Sequence, residues 1–290
     1  MIEEILLSTL RLSVPLIFAA YGGLLSERSG IANIALEALL LFSAFSAAAV
    51  ASLSGQLWLG VAAGLLTSTL VGVSFAAVCI WGRGDQIVIG TAFNLLAIGM
   101  IPVITKGTFG VTGSTPSLSA ELTFDQPSAF FVIAVLLLAG LEFLFRFTRH
   151  GLRLSAAGQN PAALVTQGVN HNLVRLRAVA EGSFIAGIGG VYLSLCQGSG
   201  YIRDMSAGRG FIALAALIFG AWKPLPTFIA CLFFALTDAI QILLQGKSIA
   251  GIIVPNQFIQ IIPYAATLFV LIFYARRMAA PAAINRDLKI

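Results

Sequence analysis

Apolar residues run along this chain in blocks of about twenty, not in the short alternations of a half-buried sheet. Nine blocks can be marked off, at 5–25, 31–53, 57–81, 86–105, 128–147, 178–197, 209–222, 224–245 and 258–275. A helix needs about 20 apolar residues to cross the hydrocarbon core of a bilayer, so each block predicts a spanning helix. The expected fold class is all-α: one polytopic membrane helix bundle over residues 1–290, with about nine transmembrane helices and eight or ten as the neighbouring counts. The seventh block is short and ends in Trp222, Lys223 and Pro224, where proline breaks a helix, so blocks seven and eight predict a tight helical hairpin. The first block lacks a cleavage site and is followed by further blocks, which argues against a removable signal peptide.

Composition agrees with this reading. The chain is 58% hydrophobic and 10% charged, against about a quarter charged in a soluble domain. Its net charge of +5 does not point to nucleic acid, because the basic residues are spread between apolar blocks and form no patch. Their distribution sets orientation instead, since basic loops stay on the cytoplasmic side. One set of alternate loops holds Arg28, Arg83, Arg146, Arg149, Arg153, Arg175, Arg177, Lys223, Arg276, Arg277, Arg286 and Lys289; the other holds Lys106, Arg203, Arg209 and Lys247. This imbalance predicts a cytoplasmic C-terminus and, with nine spans, an external N-terminus. A re-entrant segment near 26–33 would change the count. Cys79, Cys196 and Cys231 lie inside apolar blocks without metal spacing and read as packing residues.

Two loops are long enough to carry function. The external one, 106–127, is rich in Ser, Thr and Gly and is available to an extracytoplasmic partner. The internal one, 148–177, contains Gly158, Asn160, Pro161, Ala162, Ala163 and Leu164, then Gly168. Asn at a cap, Pro at the first helical position and Gly at the end predict a helix of about two turns lying along the cytoplasmic face. The plainer alternative is a connector between spans. Within the spans, Gly60, Gly64, Ser68 and Gly72 repeat every four positions, a stripe that lets helices approach closely.

No nucleotide site, metal cluster or catalytic constellation accompanies these spans, and no cofactor is expected. Gly246-Lys247-Ser248 imitates the end of a phosphate-binding loop, but Gln241 stands where that motif needs glycine. His150 and His171 fall in the basic loop without a carboxylate cluster and read as solvated. Polar residues within the spans are costly and ask for a partner or an aqueous path. Asn33 and Glu37 are one turn apart; Asn94 lies in span four; Asp238 and Gln241 share span eight. Each either lines a pathway or hydrogen-bonds between helices. Glu142 and Glu181 are expected to pair with Arg146 and Arg177 at helical spacing.

Three stretches are more specific. Residues 22–37, GGLLSERSGIANIALE, resemble the GGLxSERSGxxNIxLEG segment of permease subunits of bacterial ATP-binding-cassette (ABC) importers. Residues 157–163, AGQNPAA, with Gly168, resemble that family's cytoplasmic AxGxNPxAA segment, and 208–225 resemble its GxGFxxIAxxxxGxxxPxG region. Ala38 and Pro226 depart from positions where the family commonly has glycine. The resemblance is to the branched-chain amino acid and sugar permease superfamily, nucleoside and simple-sugar type. It implies a type II importer-like fold in a bacterial inner membrane. It also implies a homo- or heterodimer of permeases, two cytoplasmic ATPase subunits and an extracytoplasmic binding lipoprotein. The helix after Asn160 would then couple to the ATPase. The expected cargo is a nucleoside, with riboflavin or a simple sugar as alternatives, and Phe93 or Phe234 as stacking surface. A self-sufficient secondary carrier is the rival class.

Overall fold

The computed structural model describes residues 2–245, 248–249, 252–253 and 280–284. Its helices are α1 (Ile2–Arg28), α2 (Leu36–Ser54), α3 (Leu57–Trp81), α4 (Gln86–Phe109), α5 (Pro127–Phe147), α6 (Arg149–Gln159), α7 (Pro161–Thr166), α8 (His171–Tyr192), α9 (Arg209–Phe219) and α10 (Pro224–Leu244). A π-type turn, Leu193–Gln197, extends α8, and a two-residue antiparallel ladder joins Ser248–Ile249 to Ile252–Ile253.

Among the described residues, seven helices are long and apolar enough to cross a membrane. Two of the nine expected blocks account for the difference. Block 258–275 lies outside the described residues, as do Gly246, Lys247, Arg276, Arg277, Arg286 and Lys289. Block 209–222 forms α9, only 11 residues long, which at 1.5 Å per residue reaches about half of a 30 Å hydrocarbon core. Ala221 and Trp222, both at positive φ, turn the chain into α10. The internal loop is also more ordered than its composition suggests. Thr148 accepts a hydrogen bond from Gly151 N and caps α6, an element the sequence reading did not separate from the loop.

Helix α1 is the axis of the bundle, buried almost without interruption from Leu12 to Leu25. It packs antiparallel on α8 so closely that a Cβ on Gly22 or on Gly182 would strike the other's carbonyl oxygen. The small-residue stripe of α3 does what its spacing predicts. Gly60 and Gly64 meet Ala47 and Ala51 of α2, Gly64 also meets Val191 near the end of α8, and a Cβ on Gly72 would collide with the Ser183 side chain of α8. Ser68 Oγ donates to the Ser183 carbonyl across the same seam (2.7 Å).

One end of the bundle gathers the ends of α1 and α5, the start of α8, all of α6 and α7, and residues 280–284. Arg28 Nη2 donates to Ser155 Oγ of α6 (3.0 Å), and Ala283 N donates to Gly158 O (2.8 Å). Loops 110–126 and 198–208 meet at the other end, where Thr115 N donates to Tyr201 O (3.0 Å).

Candidate functional site

The chain breaks twice inside the bundle, and Asn33, Glu37 and Asn94, three of the polar side chains singled out in the spans, lie at these breaks. The first break is 29–35. After Arg28 the chain doubles back along the last turn of α1, where Asn33 Nδ2 donates to Ser26 Oγ (3.1 Å) and Ser29 Oγ donates to Ser26 O (2.6 Å). Unwound backbone in a bilayer must find internal partners. Helix α4 supplies two, spaced two turns apart. Gln86 Oε1 accepts from Ala32 N (2.6 Å); Asn94 Oδ1 accepts from Ala38 N (2.9 Å) while its Nδ2 donates to Ile34 O (2.9 Å). Asn94 thus caps α2 from outside, where Ala35 at the helix start has no side chain able to do so.

The second break precedes α9, and Glu37 closes it. The Glu37 carboxylate accepts from Ser206 Oγ (2.5 Å), Gly208 N (2.9 Å) and Gly210 N (2.6 Å). A carboxylate at a helix N-terminus satisfies orphaned N–H groups and meets the positive end of the helix dipole. Gly210 is required for this approach, since a Cβ there would collide with the Glu37 backbone nitrogen. Arg209, counted above as an external cation, instead sits at this helix start, donating to Met205 O and Ser206 O within electrostatic reach of Glu37 and Asp238.

Asn33, Glu37 and Asn94 therefore belong to one buried hydrogen-bond frame, at 0%, 6% and 4% exposure. Asp238 and Gln241 do not join it. Both are half-buried on α10, and Asp238 interacts electrostatically with Arg209.

Below the frame, buried Glu27 accepts from the Trp222 indole (2.5 Å) and so ties the turn after α9 to the end of α1. Gln86, Ser206, Arg209 and Glu27 were not singled out from sequence. Glu27 falls between two apolar blocks and Gln86 opens the fourth, so neither reads as a site residue until the fold carries the break between them.

A cavity of about 540 Å³ opens between α2, α3 and α4. Phe42, Phe45 and Phe93 supply ring surface to it, and Ser46, Thr67 and Ser74 supply hydroxyls. Phe45 also packs edge-on against Tyr201 of the second break (5.5 Å between centroids). Of the two expected stacking rings, Phe93 lines this space; Phe234 is buried against Phe219 and does not.

At the end of the bundle that carries α6, α7 starts at Pro161 and stops before Gly168, whose φ of +70° suits glycine. Asn160 makes no side-chain cap. Ala162, Ala163 and Val165 face outward. Leu164, expected as an outward contact, is buried in its own chain at 4% exposure, while Val165 is 49% exposed. Gly158 is likewise built into the bundle, since a Cβ there would collide with the Arg28 carbonyl. The histidines also depart from expectation. His150 Nε2 meets Glu181 Oε2 at 2.9 Å in place of the expected Arg177 partner, and His171 is buried. Glu142 does pair with Arg146 (2.8 Å).

A family model for the branched-chain amino acid transport system permease component matches residues 5–272. The chain belongs to this permease family. With seven apolar helices among its described residues, it is a multi-pass membrane protein and a transport component. The chain is similar to the nucleoside ABC transporter permease protein NupC of Lactococcus lactis, 33% identical over 97% of this chain and 95% of that one. It is similar also to the guanosine ABC transporter permease protein NupQ of Bacillus subtilis, at 31% over 95% and 93%. A putative glucose ABC transporter permease, TsgC13 of Haloferax volcanii, is 27% identical over 97% of each chain. No solved structure matches this permease.

Proposed function

We propose that this permease is a membrane subunit of an ABC importer that carries nucleosides across a bacterial inner membrane. Its partners in this reading are cytoplasmic ATPase subunits, a second permease and an extracytoplasmic binding lipoprotein. The observation that carries it is the end-to-end similarity to nucleoside and guanosine permeases at 31–33% identity. The cavity suits such a cargo. Phenyl rings offer stacking surface to a base and a few hydroxyls offer hydrogen bonds to a ribose, which is enough for transit when a separate protein performs capture. Uptake of labelled guanosine by cells expressing the transporter tests the cargo. Excess unlabelled adenosine or uridine is expected to suppress it and excess glucose is not; suppression by glucose alone would favour the sugar reading that the Haloferax relative represents.

In the same reading, α6, α7 and residues 280–284 face the cytoplasm, and α7 docks on the ATPase through Ala162, Ala163 and Val165. Val165→Asp then places a charge in an apolar contact, at a cost of about 1.4 kcal/mol or more, and is expected to cut ATPase copurification at least tenfold at normal permease yield. Leu164→Asp is expected to lower the permease yield itself, because Leu164 is packed within the chain. Undiminished copurification with Val165→Asp would move the docking surface elsewhere.

A further inference from the structure

We propose that Arg175 is the positioning residue that joins the ATPase-docking segment to the first helix break, so that ATPase motion enters the bundle at residues 28–33. The inference rests on the transport reading above and adds the route by which force is delivered.

Arg175 lies in the second turn of α8 and is 2% exposed, yet makes no ion pair among the described residues. Two of its guanidinium N–H groups donate to backbone carbonyls from different elements. Nε donates to Ser29 O (3.1 Å), just past the end of α1, and Nη2 donates to Ala157 O (3.2 Å), near the end of α6. The last carbonyls of a helix have no partner within it, and a cation is favoured beside them. One planar, forked cation thus serves two helix ends that converge on it, a geometry that the single ammonium of lysine does not reproduce.

The surroundings are shaped to this fork. Gly30 has φ +96°, and Arg175 Nη2 stands 3.2 Å from where a Cβ on Gly30 would be. The Arg28–Ser155 hydrogen bond and the contact of Gly158 with the Arg28 carbonyl fasten the same pair of segments. A single residue, Asn160, separates α6 from α7, so a displacement of α7 is passed to α6.

Beyond the joint, the hydrogen-bond chain continues without a gap. Residues 29–35 are held by Gln86 and Asn94, residue 33 by Glu27 and Ser26, and Glu27 in turn holds Trp222 at the foot of α9. The joint therefore sits where a push on α7 is transferred to the first break and, through Glu27 and Trp222, to the turn after α9.

The test uses the complete transporter in proteoliposomes, with solute uptake and ATP hydrolysis both measured per assembled complex. Arg175→Lys is expected to keep the ATPase bound and the KM for guanosine unchanged, while solute moved per ATP falls about fivefold, the size of effect seen when a residue modulates coupling between sites. Ser155→Ala, which removes a lesser pin of the same joint at a half-buried position, is expected to lower the same ratio about twofold. A purely structural role would reduce uptake and hydrolysis together through the amount of complex and leave the ratio intact. A wild-type ratio in Arg175→Lys overturns the inference, and if that variant does not assemble, a wild-type ratio in Ser155→Ala does so. A wild-type complex that moves no nucleoside with ATP overturns the transport reading and this inference with it.

Discussion

Replacing Glu37 with alanine is expected to destabilise the folded permease by roughly 3 kcal/mol or more, the sum for three donors left without their acceptor at about 1 to 3 kcal/mol each. The carboxylate is the common partner of Ser206 Oγ, Gly208 N and Gly210 N, and it is 6% exposed, so water does not replace it. Glu37→Gln keeps the shape but turns an amide N–H₂ toward groups that are themselves donors, so it is expected to recover only part of the loss. Asp238→Asn is the contrasting variant: half-buried and outside the frame, it is expected to fold at normal yield. Thermal unfolding in detergent, followed by size-exclusion recovery after heating, measures the series. Equal recovery of Glu37→Ala and Asp238→Asn would contradict the assignment of Glu37 to the α9 cap.

Gly72→Val is the second large effect expected. A Cβ at position 72 would collide with the Ser183 side chain on α8, and Ser183 is itself fully buried, so neither helix has room to shift locally. Overpacking of a close helix contact costs about 1 to 3 kcal/mol, and a β-branched residue adds two more methyl groups to the clash. Gly99→Val on α4 is the control, because nothing stands within 4 Å of a Cβ there. The ratio of monodisperse protein recovered from the two variants decides the point. Similar yields would show that α3 and α8 are not held at the distance described.

Most of the fold was legible because lipid imposes one rule on sequence, a run of about twenty apolar residues for each crossing. That rule marks α1 to α5, α8 and α10. It fails at α9 for a physical reason: a half helix is as apolar as a whole one, and only its length and its flanking Gly208 and Pro224 distinguish it. The small-residue stripe of α3 was readable because close packing needs one residue type at one spacing. The partners of Asn94 and Glu37 were not, since they depend on where two unwound segments sit in space, 56 and 169 residues away along the chain. Leu164 shows the limit on α7. With only six residues in α7, periodicity does not say which side faces the bundle, and the exposed apolar side chain is the next residue along. Arg175 was counted as a loop charge because α8 begins at His171, capped by Asn170, before its apolar block starts.

We propose that this permease forms the route and that a separate ATPase supplies the energy for nucleoside entry. Reconstitution of the permease with its partner permease, ATPase subunits and binding lipoprotein in sealed vesicles measures it directly. Labelled guanosine is expected to accumulate in the lumen only when all components and hydrolysable ATP are present, with ATP on the face that carries α6 and α7. Accumulation by the permease alone, driven by an imposed proton or sodium gradient without ATP, would contradict the account.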